Sequence, residues 1–278
     1  MRLLDVANVF NNLVCVDAYT GAFFTNGQLE PYDGNKRDGL MGDRRVFSFS
    51  PSDVIPFRRV IRADGNIYII GKGSPDNFRG SMIRVAYIAQ ESNGLSQIRT
   101  IAEVCLDLPG FTAHIGQVWI KDLSNPSESS ELISASAYHL ASTEPIQENH
   151  LIMFKGRLQI VRAINFGAAG TLIANCDQLD VAAVEIAVLN TGVYNPVKDT
   201  SSNVSTIVTL VRMRWQSLFA YHNSTAPKFQ PGDIQVAIAK SVATVTAGAT
   251  LGLSDGTWRV ESVVAEGLVW LCRATRQG

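Results

Sequence analysis

Short apolar runs separated by polar turns fill most of this chain, and in "RRVFSFS" apolar and polar residues alternate. "RRVFSFS" (44–50), "GNIYIIGKG" (65–73), "SMIRVAYIAQES" (81–92) and "GQVWIKDL" (116–123) are each rich in β-branched and aromatic residues. Each is bounded by turn formers, which is the pattern of strands closed by turns. "HLIMFKGRLQIVRAI", "GTLIANC", "VSTIVTLVRMRWQSLFAYHN" (204–223), "GDIQVAIAKSVATV" and "TWRVESVVAEGLVWLCRAT" continue it. "DVAAVEIAVL" (180–189) suits helix or strand by length, and its Val181, Val184, Ile186 and Val188 lean to strand. Residues 1–14 differ: Leu3, Leu4, Val6, Ala7, Phe10, Leu13 and Val14 recur at mostly helical spacing. The prediction is a mainly all-β chain, with β-sandwich or barrel units, a short N-terminal helix and long loops.

Turn signals place the loops. Residues 21–42, "GAFFTNGQLEPYDGNKRDGLMG", hold Asn26-Gly27 and Asp33-Gly34 and predict an extended loop or loose hairpin. "NPSESSE" (125–131) is a polar link. The 278 residues suffice for one large β domain or two smaller ones. The division expected is 1–43 as N-terminal helix and loop arm, 44–145 as a first β region, and 146–278 as a second.

A weak repeat runs through these regions. "GRLQIVRAINFGAAGTLIANC" (156–176) and "GTWRVESVVAEGLVWLCRA" (from 256) each run from a Gly turn through a strand, a second turn and a strand bearing Cys176 or Cys272. Aligned on the glycines, Leu158 meets Trp258, Ile160 meets Val260 and Ile164 meets Val264. "HLIMF" leads into one copy and "GDIQVAI" into the other, and "SDVIPF…DGNIYIIGKG" (52–73) is a cruder third. Chance similarity among strands is the competing explanation.

Composition narrows the function. Charged residues are 18% of the chain, below the usual ~25%. Either partners cover part of the surface, or Ser, Thr and Asn supply its polarity. With 24 Lys+Arg against 25 Asp+Glu the net charge is −1, so no overall basic footprint for nucleic acid exists. Arg44-Arg45, Arg58-Arg59-Arg62, Arg79-Arg84 and Arg212-Arg214 are local exceptions, suited to salt bridges or subunit contacts. Cys15, Cys105, Cys176 and Cys272 have no metal-binding spacing and read as buried free thiols of a reducing cytoplasm. No run of ~20 apolar residues predicts a membrane span.

Candidate chemistry is sparse. His114, His139, His150 and His222 lack HxH or HxxxH spacing, and no nucleophile elbow, HExxH or P-loop occurs. "GKGSPDNFRG" (71–80) has the glycines and lysine of an anion-holding nest, but reads better as a loop between two strands. Asp17, Glu30, Asp33 and Asp43 lie in expected loops without an identifiable acid–base pair. Trp119, Trp215, Trp258 and Trp270 sit in strand-like segments, as core or interface anchors or, less well, a sugar platform. The expectation is no catalytic residues, no cofactor-binding residues, no metal ligands and no enzymatic activity.

One segment carries a family resemblance. Gly232-Asp233-Ile234, followed by Asp255-Gly256-Thr257-Trp258-Arg259-Val260, resembles the signature of tailed-bacteriophage head-completion and head-to-tail connector (stopper-like) neck proteins. The similarity covers roughly 204–276 best and 145–180 faintly. Such proteins are small β-barrels or sandwiches, and typical stoppers are roughly half this length. The resemblance implies a structural virion protein, assembled in the bacterial host cytoplasm as a homo-oligomeric ring of six- or twelve-fold symmetry. It implies portal, adaptor or tail proteins as neighbours, contacted through loops such as 21–43 or 190–203, and DNA passing through the ring without sequence-specific binding. Near-zero net charge suits a channel in which DNA slides. A tail, baseplate or capsid-decorating protein, or a carbohydrate-binding β domain, are the alternatives.

Overall fold

The computed structural model describes residues 13–31, 40–41, 44–50, 52–78, 81–120, 136–167, 170–179, 183–195, 200–213 and 232–277. Three six-stranded antiparallel barrels are built from these residues. The first contains β1 (Leu13–Asp17), β2 (Phe23–Pro31), β4 (Arg44–Phe49), β5 (Val60–Ala63), β6 (Asn66–Phe78) and β7 (Ser81–Glu91). The second contains β8 (Gly94–Arg99), β9 (Phe111–Ile120), β10 (Ser136–Leu140), β11 (Leu151–Phe154), β12 (Arg157–Phe166) and β13 (Leu172–Gln178), and the two-residue β3 (Leu40–Met41) adds to β9. The third contains β14 (Val184–Asn195), β15 (Thr200–Met213), β16 (Ile234–Ala239), β17 (Thr250–Leu253), β18 (Gly256–Glu266) and β19 (Val269–Arg276).

The three rings share one topology. Their strand orders are β1-β2-β4-β7-β6-β5, β8-β9-β10-β13-β12-β11 and β14-β15-β16-β19-β18-β17. In each, the fourth strand in chain order pairs back to the first and closes the ring. That strand is four residues long in every copy: Val60–Ala63, Leu151–Phe154 and Thr250–Leu253. A two-residue turn follows it. Asp64 and Gly65 (φ 50° and 78°) and Lys155 and Gly156 (φ 48° and 75°) both have the positive φ pair of a type I′ hairpin.

The repeat seen in the sequence is therefore the second half of a barrel, in a corrected register. In the third barrel Leu253 pairs with Gly256, so the turn is Ser254-Asp255 and the glycine (φ 137°) opens the next strand. Arg157, which pairs with Phe154, is the counterpart of Gly256. Gln159 therefore matches Trp258, and Val161 matches Val260, one residue from the glycine-based alignment. The leading strand of the last copy is β17, since "GDIQVAI" forms β16, a different ring position.

The chain divides into two compact units. Unit 1 holds residues 1–96, 112–148 and 161–178, and unit 2 holds 97–111, 149–160 and 179–278. The chain passes between them within β8, near the start of β9, between β10 and β11, within β12 and at the end of β13. The expected break at 145/146 falls in the connection between β10 and β11.

In unit 1 the first barrel is filled by Cys15, Phe47, Phe49, Ile61, Tyr68, Ile70 and Ala89. Phe47 stacks on Phe49 at 5.6 Å and meets Tyr68 edge-on at 5.1 Å. In unit 2 the third barrel encloses Leu189, Leu210, Val236, Ile238, Leu251, Trp258, Val260 and Cys272. The intervening residues of β16, Ala237 and Ala239, join a second cluster with Leu151, Leu158, Ile160 and Leu271. All six residues of β16 are buried, so this strand has apolar neighbours on both faces.

Helix α1 (Ile101–Cys105) packs in that second cluster through Ile101, Ala102, Val104 and Cys105. It begins with a full capping box. The Glu103 backbone N–H donates to Thr100 Oγ1 (3.1 Å), and the Thr100 N–H donates to Glu103 Oε2 (2.6 Å). Thr100-x-x-Glu103 is the sequence signal for this helix.

Several expected elements differ. Residues 23–31 of the expected loop form β2, and 190–195 with 200–203 form the β14–β15 hairpin, since neighbouring strands supply partners for their backbones. "GKGSPDNFRG" is strand through Phe78, because β7 supplies partners for its backbone. Leu13 and Val14 begin β1 and are not helical, and the rest of the expected helix lies outside the described residues. "NPSESSE" also lies outside them, as does 214–223 of the long apolar run. "DVAAVEIAVL" is strand from Val184 onward.

All four cysteines are free and buried. Burial pushes the thiols of Cys15 and Cys105 up to about 11 and those of Cys176 and Cys272 up to about 12. A thiolate is the reactive form, so an aromatic disulfide reagent should label none of the four in the native protein and all four after denaturation. Native labelling within minutes would contradict this packing.

Candidate functional site

The signature residues of the third barrel have identifiable tasks. Gly232 (φ 97°) turns the chain into β16, and Asp233 accepts a hydrogen bond from Arg273 Nε at 2.7 Å. Both side chains are largely buried, at 4% and 13% exposure. β16 and β19 are neighbours in this ring, with Gln235 opposite Arg273, so the pair ties one strand's start to its partner. Asp255, in the tight turn, accepts from Trp258 Nε1 (2.8 Å) and from Arg212 Nη1 (2.9 Å). Arg212 also lies 5.0 Å from the Trp258 ring centre. Desolvation works to raise the Asp255 carboxyl, but the bonds from Trp258 and Arg212 and the Arg212 charge hold it below its ordinary range. Trp258 is 4% exposed and fills the barrel, and Trp270 packs beside the same core. The signature thus maintains a barrel.

A second constellation lies in unit 1. Glu144 is buried and accepts from Arg58 Nε (3.2 Å), Arg58 Nη2 (2.7 Å) and Tyr19 Oη (2.9 Å). Arg58 stacks over the Tyr19 ring at 3.8 Å and donates to the Thr112 carbonyl. The His114 backbone N–H donates to Tyr19 Oη (3.2 Å), and the His114 ring meets the Tyr19 edge and Ser92 Oγ. Burial foremost, with the Glu144 charge and hydrogen bond added, pushes Tyr19 up to about 12. Its hydroxyl stays protonated and remains a donor. Sequence spacing did not reveal this group, since Tyr19, Arg58, His114 and Glu144 come from four separated segments.

The described histidines have separate local partners. His139 is buried and its Nδ1 is 2.9 Å from Thr171 Oγ1, while His150 meets the Phe111 ring edge at 6.2 Å. Burial lowers His114 and His150 below their ordinary range. His222 lies outside the described residues, and among the described residues no three His, Cys, Asp or Glu side chains could hold a metal.

The third barrel also has an apolar outer face. Ala187, Leu189, Val208 and Leu210 point inward, which turns Ile186, Val188 and Ile207 to solvent. Ile186 and Ile207 are each 72% exposed. Val188 is the direct partner of Ile207 across the ladder and of Gly252 on its other side. A solvated antiparallel face normally carries polar residues here, and this one exposes an aliphatic cluster instead. Sequence alternation was blurred there for that reason: over 186–189 both faces of β14 are apolar.

No protein-family model, curated protein or solved structure matches this chain.

Proposed function

We propose that this chain is a structural protein of a tailed-bacteriophage virion, a ring-forming subunit of the head-to-tail connector through which DNA passes. The observation that carries the proposal is the barrel repeat. The resemblance noted in the sequence implies a small β-barrel, and the resembling segment spans much of the third of three such barrels. Repetition of the unit accounts for a chain longer than a typical stopper. The signature residues serve the barrel's packing, as a mechanical part requires. Portal, adaptor or tail proteins would be its neighbours, and Ile186, Val188 and Ile207 supply a face for a neighbouring subunit.

Particle mass in solution and the protein's position in virions test this reading. A closed ring is expected. Ile186→Glu with Ile207→Glu should release monomers without unfolding the barrel, because both side chains already face solvent in the single chain. A wild-type chain that remains monomeric and is missing from virions would overturn the proposal.

A further inference from the structure

Unit 1 contains a cleft of about 390 Å³ lined by Arg59, Lys72, Ser142 and Tyr87, with Ile55 and Val85 as apolar walls. Its cations are placed by backbone features. The register of β6 against β7 shifts between Ile70 and Gly73, so Gly71 and Lys72 form a bulge. Such bulges re-aim a side chain out of the ladder. Gly170 (φ 74°) sits against the Lys72 backbone, and a Cβ there would lie 2.6 Å from Lys72 Cβ. Arg59 has φ 50°, a conformation uncommon for a long side chain, and closes a turn through its N–H to the Pro56 carbonyl (2.8 Å). Its guanidinium Nη1 donates to the Gly71 carbonyl at 3.1 Å, which anchors it beside the bulge. Gly73 leaves room for the Tyr87 ring, since a Cβ at Gly73 would fall 2.5 Å from that ring.

Among the described residues, none that lines the cleft is a carboxylate. Two cations therefore share the cleft with a hydroxyl and an aromatic wall. From this arrangement we propose that the cleft binds a phosphomonoester dianion. The guanidinium fork and the ammonium match the charge and the oxygens of a terminal phosphate. Ser142 adds a hydroxyl donor, and Ile55, Val85 and Tyr87 accept the carbon skeleton of the ester. A phosphodiester offers one charge per phosphate and less access to its oxygens, so a nucleic-acid backbone is the poorer ligand. This inference does not rest on the virion reading.

Calorimetric titration of the full chain in phosphate-free buffer tests it, with phenyl phosphate, inorganic phosphate, benzoate and a DNA duplex without terminal phosphates as ligands. Phenyl phosphate should saturate, inorganic phosphate should compete with it, and benzoate should bind about tenfold more weakly or not at all. Lys72→Gln should weaken phenyl phosphate about tenfold with unchanged thermal unfolding. Arg59→Gly should do the same, and glycine suits the positive φ at that position. Failure of phenyl phosphate to saturate by about 10 mM overturns the proposal, because so weak a free energy needs no built site. Equal affinity in Lys72→Gln, or duplex binding without phenyl phosphate binding, overturns it as well.

Discussion

Trp258→Ala should destabilise the third barrel by about 3–5 kcal/mol, the range for truncating a large buried aromatic. The indole is 4% exposed within a cluster that also holds Leu251, Val260 and Cys272. Small barrels are filled by side chains, so the truncation leaves a void that neighbouring strands cannot close without breaking ladder pairs. It also removes the Nε1 donor to Asp255. Hydrogen exchange of the β16–β19 amides is the suitable measurement, because a chain of several barrels need not unfold in one step. Trp258→Phe should retain much of the packing but lose the indole donor. An alanine effect under about 1 kcal/mol, the level of a peripheral contact, would mean that the indole does not fill the barrel.

Glu144→Ala should cost unit 1 about 3 kcal/mol, the lower end for breaking a buried ion pair by deleting one partner. Glu144 is the buried member, with 1% side-chain exposure, while Arg58 is 32% exposed and regains some hydration. That asymmetry places the value at the low end. Tyr19 loses its acceptor in the same substitution. Burial shields the pair from salt, so the loss should persist at high ionic strength. An effect that disappears in salt would identify an ordinary surface pair. Glu144→Gln should be milder, since it keeps an acceptor for Tyr19.

The barrels were legible in the sequence to different depths. Period-two alternation in "RRVFSFS" marks β4, the branched and aromatic content of "SMIRVAYIAQES" marks β7, and the Asp64-Gly65 turn marks the hairpin of β5 and β6. Ring closure was not legible. β17 is only four residues long, and its pairing to β14 joins residues about 60 positions apart in sequence. The repeat register slipped by one because the glycine occupies a different position of the turn in the third barrel. A single-residue slip matters in a strand, since it exchanges the two faces. The Tyr19, Arg58, His114 and Glu144 group was invisible for another reason: its contacts are set by tertiary packing, without a local periodicity. The Arg59 and Lys72 cleft was half visible, as the glycines of "GKG", but the bulge that directs the lysine has no clear sequence mark.

The common ring order has a consequence for how the chain is made. Each barrel draws its strands from one continuous stretch, apart from the short β3. During synthesis the first ring can close before the strands of the third leave the ribosome. Three copies of one topology also create three sets of interchangeable edges, and an unclosed ring can accept the wrong fourth strand. The fourth strands read "VIRA", "LIMF" and "TLGL", and their differing side chains oppose that exchange. Divergence among the repeats thereby acts as a safeguard of folding fidelity, and a variant with three identical fourth strands should misassemble more readily than the natural chain.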